Sequence, residues 1–200
     1  MRLLHSVFLF ALAVLPFDQQ PGTVAQTPAT PPKPFDCSAP VHRQFDFWLG
    51  DWDVVTNPAT VPPPTTATPA SSAAQQPGHN VITSLDGGCV LMESWTAQGQ
   101  TGHSFNIYDR TRQQWHQTWV DNSGGLHEYW GGLKDGNMVL TGDVPLGPAS
   151  RFAGRRTIRV TFFPMGPDRM RQFSEALSMD GTWSVNYDLI YTRRPGTKSK

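Results

Sequence analysis

Three short stretches concentrate the side chains that could do chemistry. Glu93-Ser94-Trp95 sets a carboxyl two residues from an indole, and Ser104-Phe105-Asn106 sets a hydroxyl two residues from an amide. Trp115-His116-Gln117-Thr118-Trp119-Val120-Asp121 alternates indoles with an amide and a carboxyl. In an extended strand, residues two apart share a face. Glu93 then lies beside Trp95, Ser104 beside Asn106, and Trp115, Gln117, Trp119 and Asp121 form one row. Flat aromatic walls with a few placed polar groups are the makings of a small-molecule pocket. Glu93, Trp95, Ser104, Asn106, Trp115, Gln117, Trp119 and Asp121 are therefore the expected ligand-binding set. Trp115 and Trp119 would serve equally well as core packing. The register between the two stretches depends on the turn that joins them. A four-residue turn over Asp109–Arg112 pairs Asn106 with Trp115 and Ser104 with Gln117, which makes a mixed aromatic and polar face. A five-residue turn pairs Ile107 with Trp115 and makes an apolar one. The first is favoured.

Glu93 in the interior of a sheet protein would need a partner, because burying a charge is costly. Arg159 and Arg171 are available, and Glu175 shares a face with Arg171, as a ligand anchor or, in preference, a structural ion pair. A binding module for a small, partly apolar molecule is the first functional expectation. An enzyme is the second and less favoured one, with Glu93, His116 or Asp121 as acid or base. No two of these can be brought to one reacting atom by sequence reasoning. An envelope protein with a protein partner is the third, and it predicts a filled interior and an exposed apolar patch.

Other chemistries fit poorly. His103, His116 and His127 form no HxH or HExxH pattern, so no metal is expected. A haem-binding barrel would want a histidine late in the chain, and the last one is His127. There is no Gly-x-Ser-x-Gly elbow. No cofactor is implied. Sixteen basic residues balance 16 acidic ones, so nothing steers the chain to nucleic acid or an anionic membrane.

The elements that must position these residues are strands. Short runs rich in Val, Ile, Thr and aromatics alternate with turn residues: Asp86-Gly87-Gly88, Ser123-Gly124-Gly125, Asp135-Gly136, Gly166-Pro167-Asp168 and Asp180-Gly181. The expected strands are Trp52–Thr56, Asn80–Leu85, Cys89–Trp95, His103–Tyr108, Gln113–Asp121, Leu126–Trp130, Met138–Asp143, Arg156–Phe163, Met170–Ser178 and Thr182–Arg193. Val41–Leu49 could form a helical turn or two. About ten antiparallel strands joined by short loops make an up-and-down β-barrel or a sandwich, and a barrel leaves no open edge. The fold class is therefore all-β, a single antiparallel barrel of about ten strands after a short helical turn.

The rest of the chain is read from composition. Arg2 precedes an apolar run, Leu3–Leu15, that is too short to span a bilayer and reads as a secretory signal over 1–25, with cleavage after Ala25. Residues 26–40 form a flexible lead, 41–195 the barrel and 196–200 a tail. The segment 57–79 lacks any charged side chain and is dense in Pro, Thr and Ala, so it is expected as a disordered insert. A secreted or periplasmic location follows, with no membrane association once the signal is removed. Cys37 and Cys89 are the only cysteines, and in an oxidising compartment one disulfide is the economical arrangement.

Phe45-Asp46-Phe47-Trp48-Leu49-Gly50-Asp51-Trp52-Asp53-Val54 carries a resemblance. Its Gly50-x-Trp52 looks like the Gly-x-Trp opening of lipocalin-type barrels, in which the Trp plugs the closed end. The wider pattern resembles a bacterial family of exported proteins of unknown function with a Phe-Asp-Phe-Trp-Leu-Gly-x-Trp opening. It runs on through Gly88–Trp95, Ser104–Asp109, Trp115–Asp121 and Ser178–Trp183, and covers most of 42–193. The resemblance implies a calycin-like barrel, with Gly50 and Trp52 as structural residues, and no established activity. The long insert after Asn57 departs from it.

Overall fold

Paired left-handed residues turn the chain back on itself. Asp135 and Gly136 (φ 51° and 79°) join two strands through a two-residue loop, as do Gln98 and Gly99 (φ 47° and 85°). That is the turn geometry whose twist matches the flanking strands. A computed structural model of the chain describes residues 36–60, 77–145 and 154–196. It contains β1 (Gly50–Thr56), β2 (Gly78–Leu85), β3 (Val90–Ala97), β4 (Gln100–Asp109) and β5 (Gln114–Asp121). These are followed by β6 (Leu126–Lys134), β7 (Asn137–Pro145), β8 (Arg155–Pro164), β9 (Arg169–Leu177) and β10 (Trp183–Arg193). Each strand pairs antiparallel with its sequence neighbours, and β1 pairs with β10, which closes the barrel. The expected fold class is the one observed. The barrel belongs to the unit Phe35–Lys200.

Several details differ from expectation. The β4–β5 turn has four residues, but they are Arg110–Gln113, with Gln113 left-handed at φ 54°. Tyr108 therefore pairs with Trp115, Asn106 with Gln117 and Ser104 with Trp119. The turn starts one residue later than expected, so the register slides by two. An even slide keeps every side chain on its face, and the mixed aromatic and polar face survives. The expected insert also loses both ends. Asn57–Thr60 form a turn in which Asn57 N–H donates to Asp188 O at 2.8 Å, and β2 begins at Gly78. Residues 61–76 lie outside the described residues, as do the expected signal and residues 26–35 of the lead.

Two 3₁₀ turns, Pro40–Arg43 and Asp46–Trp48, precede β1 and plug one end of the barrel. Phe45 stacks on Trp48 at 4.9 Å and meets Phe162 and Trp115 edge-on. Trp52 Nε1–H donates to Trp48 O at 2.9 Å, which satisfies a polar atom that burial would otherwise strand. The Arg193 guanidinium lies 4.1 Å over the Trp52 ring and donates to Leu49 O at 2.9 Å. Gly50 has φ 137°, and a Cβ there would stand 1.9 Å from Arg193 Nη1. Only glycine fits that crossing. The Cys37–Cys89 disulfide ties the plug to the β2–β3 turn, and Arg43 Nη2 donates to Gly88 O beside it.

Candidate functional site

Alternation along the strands sorts the interior into two halves. Toward the plug it is apolar: Trp52, Met138, Leu140, Phe162 and Met170 are all buried. Toward the other end it opens into a cavity of about 580 Å³, within the range of roughly 300–1,000 Å³ usual for small-molecule sites. Glu93, Trp95, Gln117, Trp119 and Asp121 of the expected set line it. Trp115 does not. It belongs to the aromatic plug, where its Nε1–H donates to Gln44 Oε1 at 3.1 Å. Ser104 and Asn106 are fully buried beside the cavity and hold Glu93 rather than line the space.

Glu93 is the centre of the polar half. It is 4% exposed and receives hydrogen bonds from Asn80 Nδ2 at 2.7 Å and Ser104 Oγ at 2.6 Å. Asn106 Nδ2 in turn donates to Ser104 Oγ at 2.9 Å and to Leu91 O at 3.2 Å, which fixes the hydroxyl. Asn80 Nδ2 also approaches Tyr191 OH at 3.2 Å. Tyr191 OH donates to Gln172 Oε1, and Gln172 Nε2 donates to Tyr187 OH at 3.2 Å. Burial pushes the Glu93 carboxyl up to about 7, against the opposing pull of the Ser104 and Asn80 hydrogen bonds. The same burial, with the Glu93 charge nearby, raises the phenols of Tyr187 and Tyr191, and burial alone pushes Tyr129 up to about 12.

The arginines offered as partners for Glu93 point the other way. They sit at odd positions on β8 and β9, and the inward residues there are Ile158, Val160, Gln172 and Ser174. On the outer face Arg159 pairs with Glu175 at 2.8 Å, and Arg171 clamps Asp188 with bonds of 2.8 and 2.9 Å. Asn57 Nδ2 adds 2.9 Å to the same Asp188. The ion pairs are thus structural, and the Glu175–Arg171 pair is replaced by two pairs with other partners. Glu93 is held by neutral groups alone.

Asp121 has a different environment at the rim. It accepts from Trp119 Nε1 at 3.0 Å and from the backbone of Ser123 and Gly125 at 2.9 and 3.1 Å. The Ser123 hydroxyl, Trp119 and these amides hold it down to about 2, so it stays ionised and orders the β5–β6 turn. His116 is on the outer face, stacked on Trp130 at 3.8 Å. The two rim indoles have space made for them by glycine. A Cβ at Gly78 would meet Trp95 at 2.8 Å, and one at Gly102 would meet Trp119 at 2.3 Å.

The interior residues missed by sequence reasoning are mainly Asn80, Tyr129, Gln172, Tyr187 and Tyr191. The period-two spacing of Tyr187, Leu189 and Tyr191 was a usable signal. It breaks at a bulge between Val185 and Tyr187, which sets Asn186 and Tyr187 against the cavity together. Among the described residues no three His, Cys, Asp or Glu side chains converge as metal ligands would. No family model matches the chain, and comparison with curated proteins finds no match. The closed ten-stranded antiparallel barrel is consistent with a calycin-like fold. Among the described residues no helix is long and apolar enough to cross a membrane.

Proposed function

We propose that the protein is an exported binding module that holds a small, partly apolar molecule in the open half of the barrel. The observation that carries this is the cavity of about 580 Å³, walled by Trp95, Trp119 and three tyrosines and floored by the Glu93 network. The interior is sealed at one end and left open at the other, in a sheet that could have been filled throughout. The Cys37–Cys89 disulfide supports export, since such bonds persist in oxidising compartments. Native mass spectrometry of the exported protein tests the proposal. The expected result is an adduct that is lost on denaturation and reduced in Leu189→Trp, whose larger side chain takes up part of the cavity. A bare polypeptide mass in both proteins sinks it.

Acid–base catalysis is a second reading, favoured by one feature: a carboxyl near 7 that faces a cavity can both take and give a proton at neutral pH. It predicts that the adduct recovered from Glu93→Gln differs in mass from the wild-type adduct, as substrate differs from product. Identical masses count against turnover and leave binding in place.

A further inference from the structure

We propose that the cavity selects organic cations, a protonated amine on a flat apolar body, with Glu93 as the counter-ion. This deepens the binding proposal and rests on it.

The first support is a surplus of acceptors. An ionised carboxylate offers about four lone-pair positions, and Asn80 and Ser104 occupy two. Asn80 Oδ1, also buried, has no hydrogen-bond partner. An ammonium group brings donors and no acceptor, and so complements such a site, whereas a carboxylate ligand would place two anions together. The second support is the missing counter-charge. Glu93 is buried with neutral partners, Arg159 and Arg171 are committed on the outer face, and Arg156, the one arginine in the cavity lining, stands at the rim beside Ser184. A buried carboxylate without a cation is costly, and a ligand cation removes that cost. The third is the wall. Trp95, Trp119, Tyr129, Tyr187 and Tyr191 line the cavity, and aromatic faces attract desolvated cations.

The charged and titratable groups that face Glu93 across the cavity come from three other regions of the barrel wall. β10 contributes Tyr187 and Tyr191, and β6 contributes Tyr129 and His127. The phenols are raised by burial and stay neutral, and burial lowers His127, so it too is neutral at and above pH 7. At the rim stand Asp121 of β5, ionised throughout, and the guanidinium of Arg156 of β8, whose Nη2 lies 3.4 Å from Ser184 Oγ. The ionised lining groups are then two carboxylates and one guanidinium, and the deep one is a carboxylate. A bound cation favours the ionised form of Glu93, so binding near neutrality releases a proton.

Calorimetric titration of the full chain with phenethylamine, phenethyl alcohol and phenylacetate decides the matter. The amine is expected to bind at least about tenfold tighter than the alcohol at pH about 8, with phenylacetate weakest. Its affinity should fall about tenfold per pH unit below the Glu93 value and level off above it. In Glu93→Gln, which keeps the size, can accept from Asn80 through its amide oxygen and must donate to Ser104 Oγ through its amide nitrogen, the preference and the pH dependence should both vanish. Equal or tighter binding of the alcohol or the acid overturns the inference and leaves a cavity that binds. A preference that survives in Glu93→Gln overturns it as well. If none of the three binds, the inference also falls, and the co-purifying adduct decides separately whether the cavity is a binding site at all.

Discussion

Tryptophan is used in opposite ways at the two ends of this barrel. At the plugged end Trp48, Trp52 and Trp115 are 0–2% exposed and belong to one buried cluster with Phe45 and Phe162. At the open end Trp95 and Trp119 are only partly buried, backed by glycines and facing empty space. Polar groups divide in the same way. At the plugged end the Trp52 indole N–H donates to a backbone carbonyl and that of Trp115 to Gln44, while that of Trp48 is buried without a partner, whereas the open half gathers two acids, four amides and three phenols around one cavity. The contrast teaches that one residue type can be stability or recognition, and that the number of sides on which it is packed decides which.

The largest effect expected from breaking this contrast is at the plug. Trp52→Ala should lower stability by about 3–5 kcal/mol, as for other fully buried aromatic truncations. A denaturant midpoint unchanged from wild type would refute the plug role. Next, replacing Cys37 and Cys89 by Ser together should cost about 4 kcal/mol by chain entropy for a loop of 52 residues. The cavity lies toward the opposite end, so ligand affinity of the folded form should persist, and calorimetry below the melting range would check this.

Glu93 sharpens the comparison through pH. Its folded value of about 7 stands above the reference 4.5, so between these the folded state holds a proton that the unfolded state has released. Stability from this group is therefore lost as pH rises from 4.5 to 7, by about 3 kcal/mol in total. Glu93→Gln has no such dependence, and its stability relative to wild type should rise by that amount across the window in parallel denaturation series. A flat difference would show that Glu93 is ionised throughout. The smallest stability effect belongs to the rim. Trp95→Ala should cost only about 1 kcal/mol, since the ring is partly solvated, yet it should weaken retention of the bound molecule. A Trp95 variant as destabilised as the Trp52 variant would erase the distinction between the two ends.

Much of the fold was legible because strand signals are local. Alternation, β-branched residues and Gly-rich turns marked all ten strands, and the largest disagreements at strand ends fell at β4 and β6, where Gly102 and Gly131-Gly132 lie inside the strand. The inward faces of β3, β4 and β5 were readable for the same reason. The site was only partly legible. Trp115 and Trp119 are four residues apart on one face and chemically alike, and nothing local distinguishes the one that meets the plug from the one that meets the cavity. Tyr187 was hidden by a bulge, and Asn80 and Gln172 have no signature of their own as second partners in a network.

From the sequence alone follow the class of fold, the approximate strands, the pairing of Cys37 with Cys89 and the placement of Glu93 beside Trp95, since each depends on residues close in the chain or on a count of two. Tertiary structure alone decided which end is closed, which indoles face space, and that Arg159 and Arg171 stand outside while Glu93 stands inside with neutral partners. Those outcomes depend on register summed around a closed ring and on a bulge at its seam, and a shift of one residue in any turn would have exchanged inside for outside.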